Sequence, residues 1–142
     1  MVAAQHQDLF RRWIEEAWNR GNLAVLDELV APTFVRHAPG TPGEWRGPEG
    51  IKQFITVFRT GLPDLHITVD DIVTEGEKVA YRGTGSGTHH GDLLGVPPSG
   101  KSVRITYSVL ARIAGGQFQE DWLDFDALGL LQQIGAVPGQ GS

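Results

Sequence analysis

IKQFITVFRTGLPDLHITVD, residues 51–70, holds the change of period on which the fold turns. Its first part places Ile51, Phe54, Ile55 and Phe58 on one helical face, three and four residues apart. Its last part alternates Leu65, Ile67 and Val69 with His66, Thr68 and Asp70, the two-residue period of a strand. Gly61 and Pro63 separate the two. Pro48 suits the first turn of the helix, predicted over 48–60.

Towards the N-terminus the helical period continues. Residues 5–20 put Leu9, Phe10, Trp13, Ile14, Ala17 and Trp18 on one stripe, opposite Arg11, Arg12, Glu15, Glu16 and Arg20. Gly21 stops that helix, and Asn22 is placed to cap a second over 23–31 that ends at Pro32. Thr33 to His37 reads as a short extended piece, and 38–48 as a Gly/Pro loop carrying Trp45.

Towards the C-terminus the period stays at two. Val79 to Thr88 is a strand in which Gly83, Gly85 and Gly87 leave one face nearly bare, a sign of bending or close approach. His89 to Lys101 is a loop. Ser102 to Ile113 and Gln117 to Phe125 flank the hairpin turn Ala114-Gly115-Gly116. Asp126 to Ile134 is a last short helix, and residues 136–142 form a frayed tail. Three helices followed by an antiparallel meander predict an α+β fold, N-terminal helices packed on a strongly curved, mostly antiparallel sheet that encloses a pocket.

The chain of 142 residues suits one domain, 1–142, with its core over 5–135. Seventeen acids against twelve bases give a formal charge of -5, which speaks against nucleic acid or an anionic membrane as partner. Cysteine is absent, which removes disulfides, thiolate nucleophiles and Cys-ligated metals. No apolar run approaches the roughly 20 residues of a membrane helix, and no secretory signal opens the sequence, so the expected compartment is the cytoplasm.

Complete catalytic motifs are scarce. Gly83-x-Gly85-x-Gly87 has the wrong spacing for a dinucleotide loop and opens no helix. There is no Gly-x-Ser-x-Gly elbow. His89 and His90 adjoin at a strand end and point to opposite faces. A metal would need a further ligand such as His37, so His89 is read as a hydrogen-bonded pocket residue and no metal is expected.

The richest segment is Gln119-Glu120-Asp121-Trp122-Leu123-Asp124-Phe125-Asp126. In a regular strand Glu120, Trp122 and Asp124 share one face, and Asp121 and Leu123 the other. If Ile113 pairs with Phe118, Tyr107 lies opposite Asp124. A carboxylate against an aromatic wall has its charged form destabilised, which suits acid/base work. Asp124 or Asp126 is alternatively a cap for the last helix. Trp18 is read as core or cleft lining, and Trp45 as a lid, an interface anchor or an exposed ring.

Taken in order, Trp18-Asn19-Arg20-Gly21-Asn22, His37-Ala38-Pro39, Gly47-Pro48-Glu49-Gly50-Ile51 through Phe58-Arg59, Leu62-Pro63-Asp64-Leu65, Gly87-Thr88-His89, Gly95-Val96-Pro97-Pro98-Ser99-Gly100-Lys101, Glu120-x-Trp122 and Asp126 to Gly135 resemble the SnoaL-like polyketide cyclases of the nuclear transport factor 2-like superfold. The resemblance spans residues 8–135. It implies a cone-shaped α+β barrel, assembly as a homodimer or homotetramer, and cyclisation of polycyclic aromatic methyl esters by an intramolecular aldol reaction without cofactor or metal. It also implies an acid/base aspartate on the last strand and a histidine on the strand before it. Aligned through the hairpin, these fall at Leu123 and Val109, where neither residue type is present. Asp121 and Asp124 flank the first position, and a one-residue bulge would change which carboxylate faces the pocket.

Two functions follow as expectations. The first is a cofactor-independent enzyme on a hydrophobic or polycyclic small molecule, a cyclase, an isomerase or an enzyme that opens epoxides. Its expected catalytic residues are Asp121, Asp124, His89 and Tyr107, and its expected substrate contacts are Trp18, His37, Trp45, Phe54, Phe58, Glu120 and Trp122. The second is a non-catalytic small-molecule-binding or assembly module on the same fold.

Overall fold

A computed structural model describes residues 2–41 and 44–137. Pro42 and Gly43 of the expected 38–48 loop, and residues 138–142 of the expected tail, lie outside the described residues.

The first helix is not uniform. Helix α1 runs over Val2–Arg11 and continues, over Arg12–Asn19, in wider turns of the π type. Arg20 N–H, for example, bonds back to Glu15 O at 3.0 Å, a five-residue step. The apolar stripe read from the sequence is its buried face, with Trp13 and Ala17 fully enclosed. Gly21 ends it at φ +71°, where L side chains are strained. The carbonyls left open at that end are taken by Arg59 of the third helix, whose Nη1 donates to Trp18 O at 2.8 Å and Asn19 O at 3.1 Å.

The second helix is shorter than expected. A 3-10 turn over Leu23–Val25 leads into α2, Leu26–Leu29, and strand β1 begins at Val30 and runs to His37. Pro32 therefore sits inside a strand rather than behind a helix. It lacks an N–H, and the β1–β6 ladder breaks register between Val30 and Val35 around it. Strand β2, Trp45–Arg46, and helix α3, Gly47–Gly61, follow, with Pro48 in the first turn as expected.

Strands β3, His66–Glu75, β4, Lys78–Thr88, β5, Ser102–Ala114, and β6, Gln117–Phe125, complete one mixed six-stranded sheet. Its order is β2-β1-β6-β5-β4-β3, antiparallel except where β1 runs parallel to β6. The sheet curls over the helices without closing. Gly83 allows the curl, because a Cβ there would stand 1.9 Å from the Thr68 carbonyl oxygen. Helix α4, Ala127–Gln133, packs behind β5: Gln133 accepts from Arg104 N–H at 2.7 Å and donates to Arg104 O at 2.9 Å. Of the two expected caps, Asp126 is the one used, accepting from Gly129 N–H at 2.8 Å. No helix among the described residues is long and apolar enough to cross a membrane.

The hairpin corrects one expectation. Ile113 pairs with Phe118 as anticipated, but Arg112 then pairs with Glu120, so Gln119 is an extra residue in β6. Beyond it every partner moves by one. Tyr107 lies opposite Phe125, not Asp124, and Asp124 lies opposite Ser108.

Candidate functional site

A cavity of about 60 Å³ lies between α1, α3 and the concave face of the sheet. The π-type turns present Trp13, Ile14 and Trp18 to it, and α3 presents Phe54 and Phe58. The sheet contributes Ile105, Val109, Leu123 and Phe125, and Gly85 leaves the space that a side chain would fill. Pockets for drug-sized ligands run to roughly 300–1,000 Å³, so a polycyclic ligand requires these walls to part.

Besides the indole N–H groups of Trp13 and Trp18, the lining side chains that carry polar groups are Arg36, Tyr81 and Tyr107. Arg36 comes from β1, where it alternates inwards with Phe34, and Ala38 just beyond the strand is buried in the same phase. Its Nε donates to Asp121 Oδ1 at 3.0 Å and its Nη2 to Asp121 Oδ2 at 2.8 Å, a two-pronged pair between directly opposed residues of β1 and β6. Both side chains are buried. The guanidinium carbon lies 4.8 Å from the ring centre of Phe54, 5.6 Å from that of Trp13 and 5.9 Å from that of Trp18. Burial acts against the charge on Arg36, yet Asp121 and the Tyr81 oxygen more than offset it, so its pKa is raised.

The two tyrosines differ in what they offer. Tyr81 Oη accepts from Trp13 Nε1–H at 3.2 Å and has no acceptor for its own proton among the described residues. Burial raises its pKa, Arg36 opposes that rise and Asp121 reinforces it. Tyr107 instead donates to the Thr68 carbonyl at 2.7 Å, so its remaining capacity is as an acceptor. Its pKa is also raised, first by burial and then by Asp70.

Of the residues expected from the sequence, Trp18, Phe54, Phe58 and Tyr107 line the cavity. Asp121 stands behind its wall, joined to it through Arg36. The bulge at Gln119 turns Asp124 outwards, into solvent. Glu120 and Trp122 also face outwards and meet His37 there, away from the cavity. His37 Nε2 lies 2.8 Å from Glu120 Oε2, its Nδ1 lies 3.0 Å from Glu44 Oε2, and its ring stacks on Trp122. Trp45 covers the far side of Phe54 edge-on and donates to Thr41 Oγ1 at 3.0 Å.

His89 is buried but belongs to the 89–101 loop, not to the cavity lining. Its Nδ1 accepts from Ser99 N–H at 3.1 Å, which leaves Nε2 as the donor to Val96 O at 3.3 Å. The imidazole thus ties the loop back on itself. This corrects its expected place beside the pocket, although the hydrogen-bonded reading stands.

The sequence profile of the SnoaL-like polyketide cyclases matches residues 8–134. The chain belongs to the SnoaL-like polyketide cyclase family. This SnoaL-like chain is 29% identical over 136 residues to aklanonic acid methyl ester cyclase DauD of Streptomyces sp. (strain C5), covering 90% of this chain and 80% of that one. It is 29% identical over 122 residues to nogalonic acid methyl ester cyclase of Streptomyces nogalater, covering 84% and 90%. The structure of TsrD from Streptomyces laurentii superposes with a TM-score of 0.84 at 34% identity, over 94% of this chain and 97% of that one.

Two inward features of this SnoaL-like chain escaped the sequence reading: Arg36 with its partner Asp121, and the open Tyr81 hydroxyl. The signal for Arg36 was present. A cation in phase with Phe34 and Ala38 is buried with them, and a buried cation requires an anion opposite.

Proposed function

We propose that the chain is a cofactor-independent acid/base enzyme acting on a hydrophobic, oxygen-bearing organic molecule of the polyketide type within this cavity. The supporting observation is the lining: aromatic and aliphatic walls interrupted by Arg36, Tyr81 and Tyr107. Such a surface gains by burying apolar rings and orients them through a few polar atoms. The methyl ester cyclases named above make ring closure the leading reaction, with isomerisation and epoxide opening as variants.

In this reading Trp18, Phe54 and Phe58 hold the ligand, and Tyr107 accepts a hydrogen bond from it. Asp121 does not line the cavity, and its proposed part in the acid/base chemistry is to hold Arg36, the cavity-lining cation, on both its oxygens. Asp124, His89, His37, Glu120, Trp122 and Trp45 receive no part in the chemistry, given their positions outside the lining. A homodimer is part of the proposal. Its support is an exposed apolar row across the outer face, Trp122–Leu110–Ala80–Val73, aligned by strand register.

One observation favours the non-catalytic alternative. Val109 and Leu123 are directly paired and both line the cavity, at the positions where the resemblance implies a histidine and an aspartate.

A thermal-shift panel of anthraquinone-type esters, steroids, terpene epoxides and small keto acids tests the reading. Ligand at about 100 times its Kd adds about 2.7 kcal/mol of stability. A shift with one class, followed by turnover that Asp121→Asn abolishes while the variant still binds that class, supports the enzyme. Binding without turnover supports the alternative, and no shift with any class counts against both.

A further inference from the structure

The polar end of the cavity is built from unused donors. Arg36 spends Nε and Nη2 on Asp121, its Nη1 makes no hydrogen bond of good geometry among the described residues, and the Tyr81 oxygen stands close enough to favour its charge. Tyr81 accepts from Trp13, and its O–H proton has no acceptor there either. Both side chains line the same cavity. The one carboxylate nearby is occupied on both oxygens by Arg36. Tyr107 already donates its O–H to Thr68 O.

We infer that Arg36 Nη1 and the Tyr81 hydroxyl form a donor pair that binds one carbonyl or enol oxygen of the ligand inside this otherwise apolar cavity. This rests on the proposed reading of the cavity as a hydrophobic ligand site, and it names the ligand atom that the site selects.

Physical reasons support the pairing. Donors in a low-dielectric site already aligned by other contacts need no reorganisation when an oxygen arrives. Arg36 is so aligned, held by two bonds to Asp121 and enclosed by Phe54, Trp13 and Trp18. Tyr81 is held by Trp13 Nε1 and by edge-to-face packing on Phe10, with ring centres 4.5 Å apart. An apolar group in the same place would leave both donors unsatisfied, whereas an acceptor oxygen satisfies them. In this arrangement Asp121 acts as a positioning residue for the guanidinium.

The test uses two single-ring ligands of nearly one shape, acetophenone and α-methylstyrene, which differ by a carbonyl oxygen against a methylene. Binding is measured by calorimetry, and the carbonyl stretch of bound acetophenone by infrared difference spectroscopy. Tyr81→Phe and the joint Arg36→Met, Asp121→Leu variant each remove part of the donor pair without leaving a lone buried charge. The expected result is a carbonyl stretch at lower frequency in the wild type than in an apolar solvent. Each variant should also lower the affinity ratio of acetophenone to α-methylstyrene by about tenfold, the scale of one hydrogen bond to a charged or strongly polarised donor. Retained α-methylstyrene binding shows that each variant is folded. An unshifted carbonyl, or a ratio unchanged in both variants, overturns the donor pair while leaving the hydrophobic cavity standing. Failure of the wild type to bind either compound overturns the cavity reading and the inference with it.

Discussion

Arg36 and Asp121 face each other across the only parallel strand contact among the described residues, joined by bonds of 3.0 and 2.8 Å and buried on both sides. Their pairing sets the chemistry of the cavity wall, since it places a permanent cation beside three aromatic rings. Removing one member leaves an uncompensated charge in the core. Arg36→Ala or Asp121→Ala is expected to lower unfolding stability by about 3–5 kcal/mol, whereas Arg36→Met with Asp121→Leu is near neutral or stabilising. Urea denaturation of the three variants checks this. Equal losses in the single and joint variants would show that the pair is not coupled.

Stability should also respond to alkaline pH. The buried Tyr81 phenol has its pKa raised from an ordinary value of 10.0, mainly by burial. A folded value above the unfolded one makes the contribution complete below about pH 10 and drains it as pH rises towards the folded value. The expected slope above pH 10 is up to about 1.4 kcal/mol per pH unit from this group. Tyr107, only partly buried, acts in the same direction. Tyr81→Phe should flatten the alkaline limb, measured by urea midpoints on either side of the tyrosine range. An unchanged limb would place the titration elsewhere.

Gly83 sets how closely β3 lies over β4. An added Cβ would stand 1.9 Å from Thr68 O and 2.9 Å from the Tyr107 hydroxyl. Gly83→Ala is therefore expected to push β3 away, break the Tyr107–Thr68 bond and cost about 1–3 kcal/mol, as overpacking does. Gly85→Ala is the control on the same strand, because its backbone is not left-handed and a Cβ there meets only side-chain atoms, the nearest being Ile67 Cδ1 at 3.1 Å. Thermal denaturation separates the two. A Gly83→Ala loss no larger than that of the control would remove the steric argument.

The outer face carries a prediction about assembly. Trp122 is 42% exposed and Leu110 40%, and the two are paired neighbours. Burying that row against a second copy is the proposed use of it. Leu110→Glu should shift the protein to monomer in sedimentation equilibrium while leaving the far-UV spectrum unchanged. A wild type that sediments as a monomer at all concentrations would end the homodimer proposal.

Most of the architecture was readable along the chain. The period change across residues 51–70 marks where helix gives way to sheet. Gly115-Gly116 marks the hairpin, and both glycines have positive φ there. These signals are local: each depends on residues within a turn or two, and composition alone states them. The cavity wall was readable to the same extent, because Trp18, Phe54 and Phe58 lie on helical stripes that must be buried.

The chemistry of the site was decided further away. A single extra residue at Gln119 determines whether Asp121 or Asp124 faces inwards, and nothing in the local alternation reveals it, since a slip of one exchanges the two faces of a strand. The parallel contact of β1 with β6 then brings together Arg36 and Asp121, which are separated by 85 positions in sequence. His89 and Asp124 had the right residue types for catalysis, but loop closure and strand register carried them elsewhere. The sequence by itself thus determined the order of helices and strands and which faces are apolar. Only the tertiary structure decided which polar groups share the cavity, because that depends on strand register and long-range pairing rather than on local preference.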